Sequence, residues 1–276
     1  MNGDQGLDAF ARLVAALEPW LGQVVIIGGW ANRLYRMHPH AQALDYPPLM
    51  TLDTDIAVPP KLPAGEQDIR ERLVAQGFSE QLLGDDRPPA THYHLSGEET
   101  GFYAEFLTPL TGSGYDRSHK RKATVGIGGI VSQQLRHIEI LLYNPWSVDL
   151  QTAERAVRIQ IANPVSFLAQ KVLIHKTRDR EDRAKDILYI HDTLEVFGAH
   201  LRDLGQLWSD IVAPQLHPRS ARIVLKAPES LFGELSDDIR RAGEISTERS
   251  LSPEAIRAAC RYGLGRLFQY SKPITR

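Results

Sequence analysis

Cysteine is nearly missing from this chain: Cys260 is the single one. No internal disulfide can brace the fold, and no Cys/His cluster has zinc-ligand spacing. Long apolar runs are missing too. Nothing approaches the ~20 apolar residues needed to span a bilayer, and the N-terminus lacks the basic-then-apolar pattern of a secretion signal. A membrane role is therefore not expected, and a cytoplasmic protein is. Charge of one sign is also lacking, with 32 Lys and Arg against 34 Asp and Glu, a net of -2 at pH 7. General attraction to polyanions is excluded, so such a partner must be met by a local basic patch. Internal repeats and low-complexity tracts are absent as well. What is present is an ordinary globular composition, 42% hydrophobic and 24% charged over 276 residues. That is enough chain for one large domain or two modest ones.

Two stretches organise the rest. Val24-Val-Ile-Ile27 reads as a short strand buried on both faces. Gly28 and Gly29 follow, where the missing Cβ lets backbone amides approach a phosphate closely. A helix is expected from Trp30 to about Met37, its N-terminus adding partial positive charge at the same place. Downstream, Asp53 and Asp55 stand two apart in the strand-like run 51–58, so their carboxylates share one face. Such a pair repels itself unless a divalent cation lies between.

An apolar strand, Gly-Gly, a helix and an Asp-x-Asp strand resemble the nucleotidyltransferase superfamily with the polymerase-β-like core. The resemblance implies a third carboxylate on a later strand, and Glu105 in Phe102-Tyr-Ala-Glu-Phe-Leu107 is the match. It further implies Mg²⁺ held by Asp53, Asp55 and Glu105, with a nucleoside triphosphate seated on Gly28 and Gly29. The sequence departs from the family in spacing: the Asp pair lies farther from the glycines than usual. The excess falls in the Pro-rich segment Met37 to Pro48, which reads as an insertion that leaves the sheet in place.

In chain order, a helix is expected over 5–21, a helix from Glu66 to Ala75, and a strand over 79–83. Thr91–Leu95 and Phe102–Leu107 read as a hairpin, giving a mixed sheet with helices on one face. The polar run 111–122 ends in Lys120, Arg121 and Lys122. It reads first as a solvated connection, and secondly as a contact for triphosphate or a nucleic-acid acceptor. Gly126, Gly128 and Gly129 read as strand-edge or turn residues. Ile138–Tyr143 and Val157–Ile161 read as strands joined by 144–150.

From Asn163 the pattern turns helical, which divides the chain into a catalytic core at 1–162 and a helical domain at 163–276. The fold class expected is α+β. Asn163 is an N-cap with Pro164 at the first helical position. Lys171 falls inside an apolar arc made by Val165, Leu168 and Val172 on one flank and Phe167 and Ile174 on the other. Ser166, Gln170 and Thr177 form the opposite, solvated side. On the next helix, over 181–197, Asp186 is flanked in the same way by Ile190 and Tyr189. Two readings follow: a buried Lys171–Asp186 ion pair, or two groups facing a catalytic cleft with some water around the lysine. The second is preferred here. Asn163-Pro-Val-Ser-Phe-Leu-Ala-Gln-Lys171, Arg178 and Arg183-Ala-Lys-Asp186 resemble the helical half of bacterial AbiEii-toxin-like nucleotidyltransferases. That resemblance implies active-site roles for Lys171, toward the phosphates, and Asp186, toward the lysine or the acceptor. It also implies a tRNA or protein acceptor, and a toxin or defence role with an antitoxin partner. Nothing is recognised in 200–276 beyond further helices, the last starting at Ser252-Pro253. The rival readings are a non-catalytic nucleotide-binding or partner-binding module, which the intact carboxylates oppose, and transfer to an aminoglycoside-like small molecule, which needs an acidic acceptor pocket.

Overall fold

Among the described residues, alternating and doubly buried apolar runs make nine strands before residue 162, and capped amphipathic runs make the helices. The computed structural model describes residues 3–63, 66–83, 90–96, 101–115, 119, 122–245, 249 and 251–269. Two compact units are formed, one from 1–31 with 50–162 and one from 32–49 with 163–276. The chain is α+β throughout this plan: a mixed sheet with helices first, a helical region after.

In the first unit the strands are β1 (Val25–Ile26), β2 (Asp53–Ala57), β3 (Phe78–Leu83), β4 (Ala90–Leu95), β5 (Tyr103–Pro109), β6 (Thr124–Ile127), β7 (Ile130–Leu135), β8 (Trp146–Gln151) and β9 (Ala156–Ile161). They run in the order β3-β4-β5-β2-β1-β9-β8, with the β6–β7 hairpin joined to β5 through β7. β1 is antiparallel to β2, with Val25 opposite Ala57 and Ile26 opposite Ile56. β2 is parallel to β5. Helices α1 (Gly3–Ala16) and α3 (Ile69–Ala75) belong to this unit, and α2 (Gly28–Leu34) begins in it. Phe10 of α1 stacks on Trp30 at 4.1 Å, and Trp30 meets the edge of Phe102 at 6.0 Å. With Leu13, Leu17, Ile56, Leu73 and Phe106, all essentially unexposed, they form the core of the unit. Burying each such side chain is worth about 1.5–3 kcal/mol.

Local chemistry explains the edges. Asp68 and Glu71 make a reciprocal capping box that starts α3, so the helix begins at Ile69 rather than at Glu66. Gly128 and Gly129 form the β6–β7 turn at φ +60° and +83°, and a Cβ on Gly129 would overlap the Asp68 carboxylate. These glycines are turn residues, as expected. One expected strand is corrected. Residues 138–143 hold a 3₁₀ turn, Glu139–Leu142, whose Ile140 and Leu141 are buried. The strand is instead β8, within the expected connection, where Val148 and Leu150 point inward and Ser147 and Asp149 outward. A short apolar run does not distinguish strand from helical turn, whereas the two-residue alternation of β8 does.

The second unit holds α4 (Pro164–Ile174), α5 (Arg180–Val196), α6 (Leu201–Leu207), α7 (Ala213–Gln215), α8 (Pro218–Phe232), α9 (Asp237–Ile245) and α10 (Pro253–Phe268). Residues Trp208–Val212 continue α6 into α7 through a π turn. Asn163 caps α4 through a 2.8 Å bond from Ser166 N–H, with Pro164 at the first position. Ser252 caps α10 in the same way. The segment 32–49 is part of this unit: Asn32 bonds Thr193 at 3.0 Å, Tyr35 packs edge-on against Phe167 and Phe197, and Gln42 N–H donates to Val196 O. The Pro-rich stretch is irregular, as expected, and packs against the helices of this unit. The expected solvated side of α4 is also corrected, since Ser166 and Gln170 are buried along with the rest of Pro164–Val172. A helix enclosed on all sides shows no polar face.

Candidate active site

Register decides what the first unit presents. Along β2, Thr54 and Ile56 are buried while Asp53 and Asp55 are half-buried on the other face. Along β5, Ala104 and Phe106 are buried while Tyr103 and Glu105 are half-buried. Asp55 stands directly opposite Glu105, and Asp53 opposite Tyr103. The three carboxylates therefore share one sheet face, two of them as immediate cross-strand neighbours.

The glycines close one end of this face. Ile27 N–H donates to Asp55 O at 3.0 Å, which brings residue 28 against the Asp55 side chain. Gly28 has φ +62°, and a Cβ there would overlap Asp55 Oδ2. Glycine is thus required twice, by conformation and by space. Helix α2 starts at Gly28 itself, two residues earlier than expected, so Gly28 and Gly29 are its first turn. Thr51 Oγ1 donates to Asp53 Oδ1.

β4 adds residues that sequence reasoning passed over. His92 stands opposite Glu105 and His94 opposite Tyr103. His92 Nε2 contacts Glu105 Oε1, with side chains 13% and 21% exposed. The His92 ring stacks on Tyr103 at 4.3 Å, and His94 tilts against the same ring at 5.2 Å. A His-x-His alternation in Thr91-His-Tyr-His-Leu95 was the available signal, because period two puts both rings on one face. Its meaning depended on the β4–β5 register.

The donor set suits a hard cation. Mg²⁺ is usually held by one or two carboxylates plus waters and substrate phosphates, rather than by a dedicated protein cage. Among the described residues no three His, Cys, Asp or Glu side chains form such a cage. Asp55 and Glu105 are cross-strand neighbours with Asp53 one repeat along, so the face carries oxygen donors of the kind such a cation takes. Of the basic run, Lys120 and Arg121 lie outside the described residues, while Lys122 N–H donates to Gly114 O.

Lys171 and Asp186 belong to the second unit. Lys171 Nζ sits 2.5 Å from Asp186 Oδ1, with side-chain exposures of 8% and 1%. The rings of Phe167 and Tyr189 lie 5.5 and 5.2 Å from the ammonium. Arg178 Nε approaches Asp186 Oδ2 at 3.6 Å. The buried pair is what the structure contains, and the water expected around this lysine is largely excluded. Beside it, burial lowers the pKa of His175 and outweighs the pull of Asp238 and Asp186 in the other direction. Asp238 Oδ2 lies 3.6 Å from His175 Nε2 and 2.9 Å from Arg183 Nε.

Residues 6–213 match the family model described as Nucleotidyltransferase. That is most of the chain, and it includes β1, the glycines, Asp53, Asp55 and Glu105. The chain belongs to the nucleotidyltransferase family and carries its enzymatic domain. Family membership implies a nucleoside triphosphate as substrate and, typically, a divalent metal. No curated protein matches the chain. Among the described residues no helix is long and apolar enough to cross a membrane.

Proposed function

We propose that the protein transfers a nucleoside monophosphate from a triphosphate to an acceptor hydroxyl of tRNA or protein. The observation that carries this reading is the Asp55–Glu105 register on one sheet face, with Gly28 forced against Asp55. In the reaction the acceptor oxygen bonds to the α-phosphorus, the bond from that phosphorus to the bridging oxygen breaks, and pyrophosphate leaves. Asp53, Asp55 and Glu105 would hold Mg²⁺. When bound, the metal supplies Lewis-acid charge at the phosphates and lowers the pKa of the attacking hydroxyl. Backbone amides at Gly28 and Gly29 are placed to receive phosphate oxygens where no side chain intervenes. Thr51 orients Asp53, and His92 orients Glu105, so that each carboxylate presents a set oxygen. Lys171 and Asp186 of the second unit are proposed to serve the reaction as a coupled pair, Asp186 setting the position of the ammonium. The finer placement beside AbiEii-like toxins, with an antitoxin partner, is supported by the run from Asn163 to Lys171 and by Arg183–Asp186.

Nucleotide binding separates this reading from a scaffold. Wild-type melting temperature should rise with a triphosphate plus Mg²⁺, and Asp53→Asn should lose most of that rise. Equal shifts in the two proteins would remove Asp53 from the metal site.

His92 gives a second test. His92→Ala leaves Glu105 without its oriented partner and should lower transfer by roughly 10–100-fold, the usual cost of losing a group behind a metal ligand. It should also raise the Mg²⁺ concentration needed for half-maximal rate. His92→Gln, whose amide can donate to the same oxygen, should recover part of both. An unchanged Mg²⁺ requirement in His92→Ala would show that Glu105 needs no such support.

A further inference from the structure

A basic surface lies in the second unit, lined by residues to which no role is assigned above. A groove of about 960 Å³ runs between α6, α8 and α10, lined by Arg202, Arg257, Arg261, Tyr262 and Arg266 among others. Its sole acidic lining residue is Glu229. Helices α8 and α10 together carry six basic and two acidic residues, in a chain whose net charge is -2. The charge is therefore concentrated locally, as a polyanion partner requires of a near-neutral chain. All of the lining except Arg202 lies beyond residue 213, where the family match ends.

The layout of α10 shows which polyanion. Residues 257, 261, 265 and 269 form one row and 258, 262 and 266 the next, because positions four apart share a face. Arg257, Arg261 and Arg266 are thus staggered by about 6 and 7.5 Å along the helix axis, at a rise of ~1.5 Å per residue. Small residues between them leave room: Ala258 is one, and a Cβ on Gly265 would meet open space. Arg261 is held in place by a two-pronged bond to Glu229 at 2.8 and 3.0 Å. Among the described residues neither Arg202 nor Arg266 has a carboxylate partner. Tyr262, 66% exposed, stands in the same groove.

We propose that this groove holds the sugar–phosphate backbone of a single-stranded nucleic acid, with Tyr262 offering its ring to a base. Cations spread along a groove suit successive phosphates on a polymer, whereas one triphosphate would need them convergent. An exposed aromatic among arginines is the arrangement that binds strands through stacking plus charge. The inference is independent of the transfer chemistry, because binding is read without triphosphate or Mg²⁺.

The test is fluorescence anisotropy of the full chain with a labelled single-stranded RNA, titrated across salt concentrations. If four arginines meet phosphates, the slope of log affinity against log salt should be about -2.8, from ~0.7 per phosphate neutralised. R202E/R266E, at exposed positions, should bind at least tenfold more weakly and lose about half of that slope. Tyr262→Ala should weaken binding roughly tenfold with the slope unchanged, since stacking carries no charge. R12E/R180E, a charge-matched pair outside the groove, should behave as wild type. The proposal is overturned if R202E/R266E binds like wild type, or if the control pair loses as much. It is also overturned if polyglutamate competes as well as RNA does while Tyr262→Ala is silent. That last result would mark the groove as a surface for acidic polypeptides.

Discussion

Asp55→Asn is expected to lower transfer by about 10²–10³-fold or more, the scale seen when one fixed electrostatic stabiliser is removed from a transition state. The substitution is nearly isosteric, so the β2–β5 pairing and the approach of Gly28 survive it. It also removes one of two charges that face each other across neighbouring strands, Asp55 and Glu105. Like charges at such range oppose each other when no cation lies between. The variant should therefore melt no lower than wild type in the absence of Mg²⁺. The two readouts together separate the causes. A folding defect would lower both activity and melting temperature, whereas loss of a metal ligand lowers activity alone. A variant with near-normal turnover would take Asp55 out of the catalytic machinery.

Lys171→Met carries the second large effect, this time on stability. Its partner Asp186 is 1% exposed, and an unpaired carboxylate there has no water to turn to. Truncating one member of a buried pair costs about 3–5 kcal/mol. Arg178, 3.6 Å from the other Asp186 oxygen, softens the loss toward the lower end. Equilibrium urea unfolding should show the shift directly. The double variant Lys171→Met/Asp186→Leu removes both charges and should regain most of the lost stability, since a buried pair replaced by apolar groups is often neutral. Transfer then separates the roles. If Lys171 also serves the reaction, the double variant stays folded and nearly inactive. If the pair is purely structural, activity returns with stability. A single Lys171→Met protein as stable as wild type would mean that Asp186 does not depend on the lysine.

Much of the candidate site was legible because its signals are local. Gly28-Gly29 and Asp53-x-Asp55 stand out by residue type and strand periodicity, Glu105 follows from the family resemblance, and the caps Asn163 and Ser252 show by the proline that follows each. What escaped reading was set by register and packing. Nothing near His92 in sequence says that it meets Glu105, thirteen positions on; only the β4–β5 pairing does. The same holds for the packing of the 37–48 insert, which is irregular as its prolines suggest but tied to the helices through Gln42. Lys171 was identified as unusual from its apolar flanks. Its lack of water was not, because Ser166 and Gln170 disguised a helix that is enclosed on every side. The 138–151 region was misread where a buried 3₁₀ turn mimicked a strand, though the alternation of β8 was there to be counted. Arg202 joins the arginines of α10 only through the packing of α6 and α10, so the groove too was invisible in one dimension.

The central claim, that the nucleoside monophosphate is the group transferred, is tested most directly by the position of the label. Wild-type and Asp55→Asn protein would be incubated with Mg²⁺, bulk tRNA and bulk protein, using each triphosphate labelled at either the α- or the γ-phosphate. Wild type should place α-label covalently on one acceptor class and leave γ-label in free pyrophosphate, and Asp55→Asn should do neither. Covalent γ-label on the acceptor, or α-label transferred equally by the variant, would contradict the account.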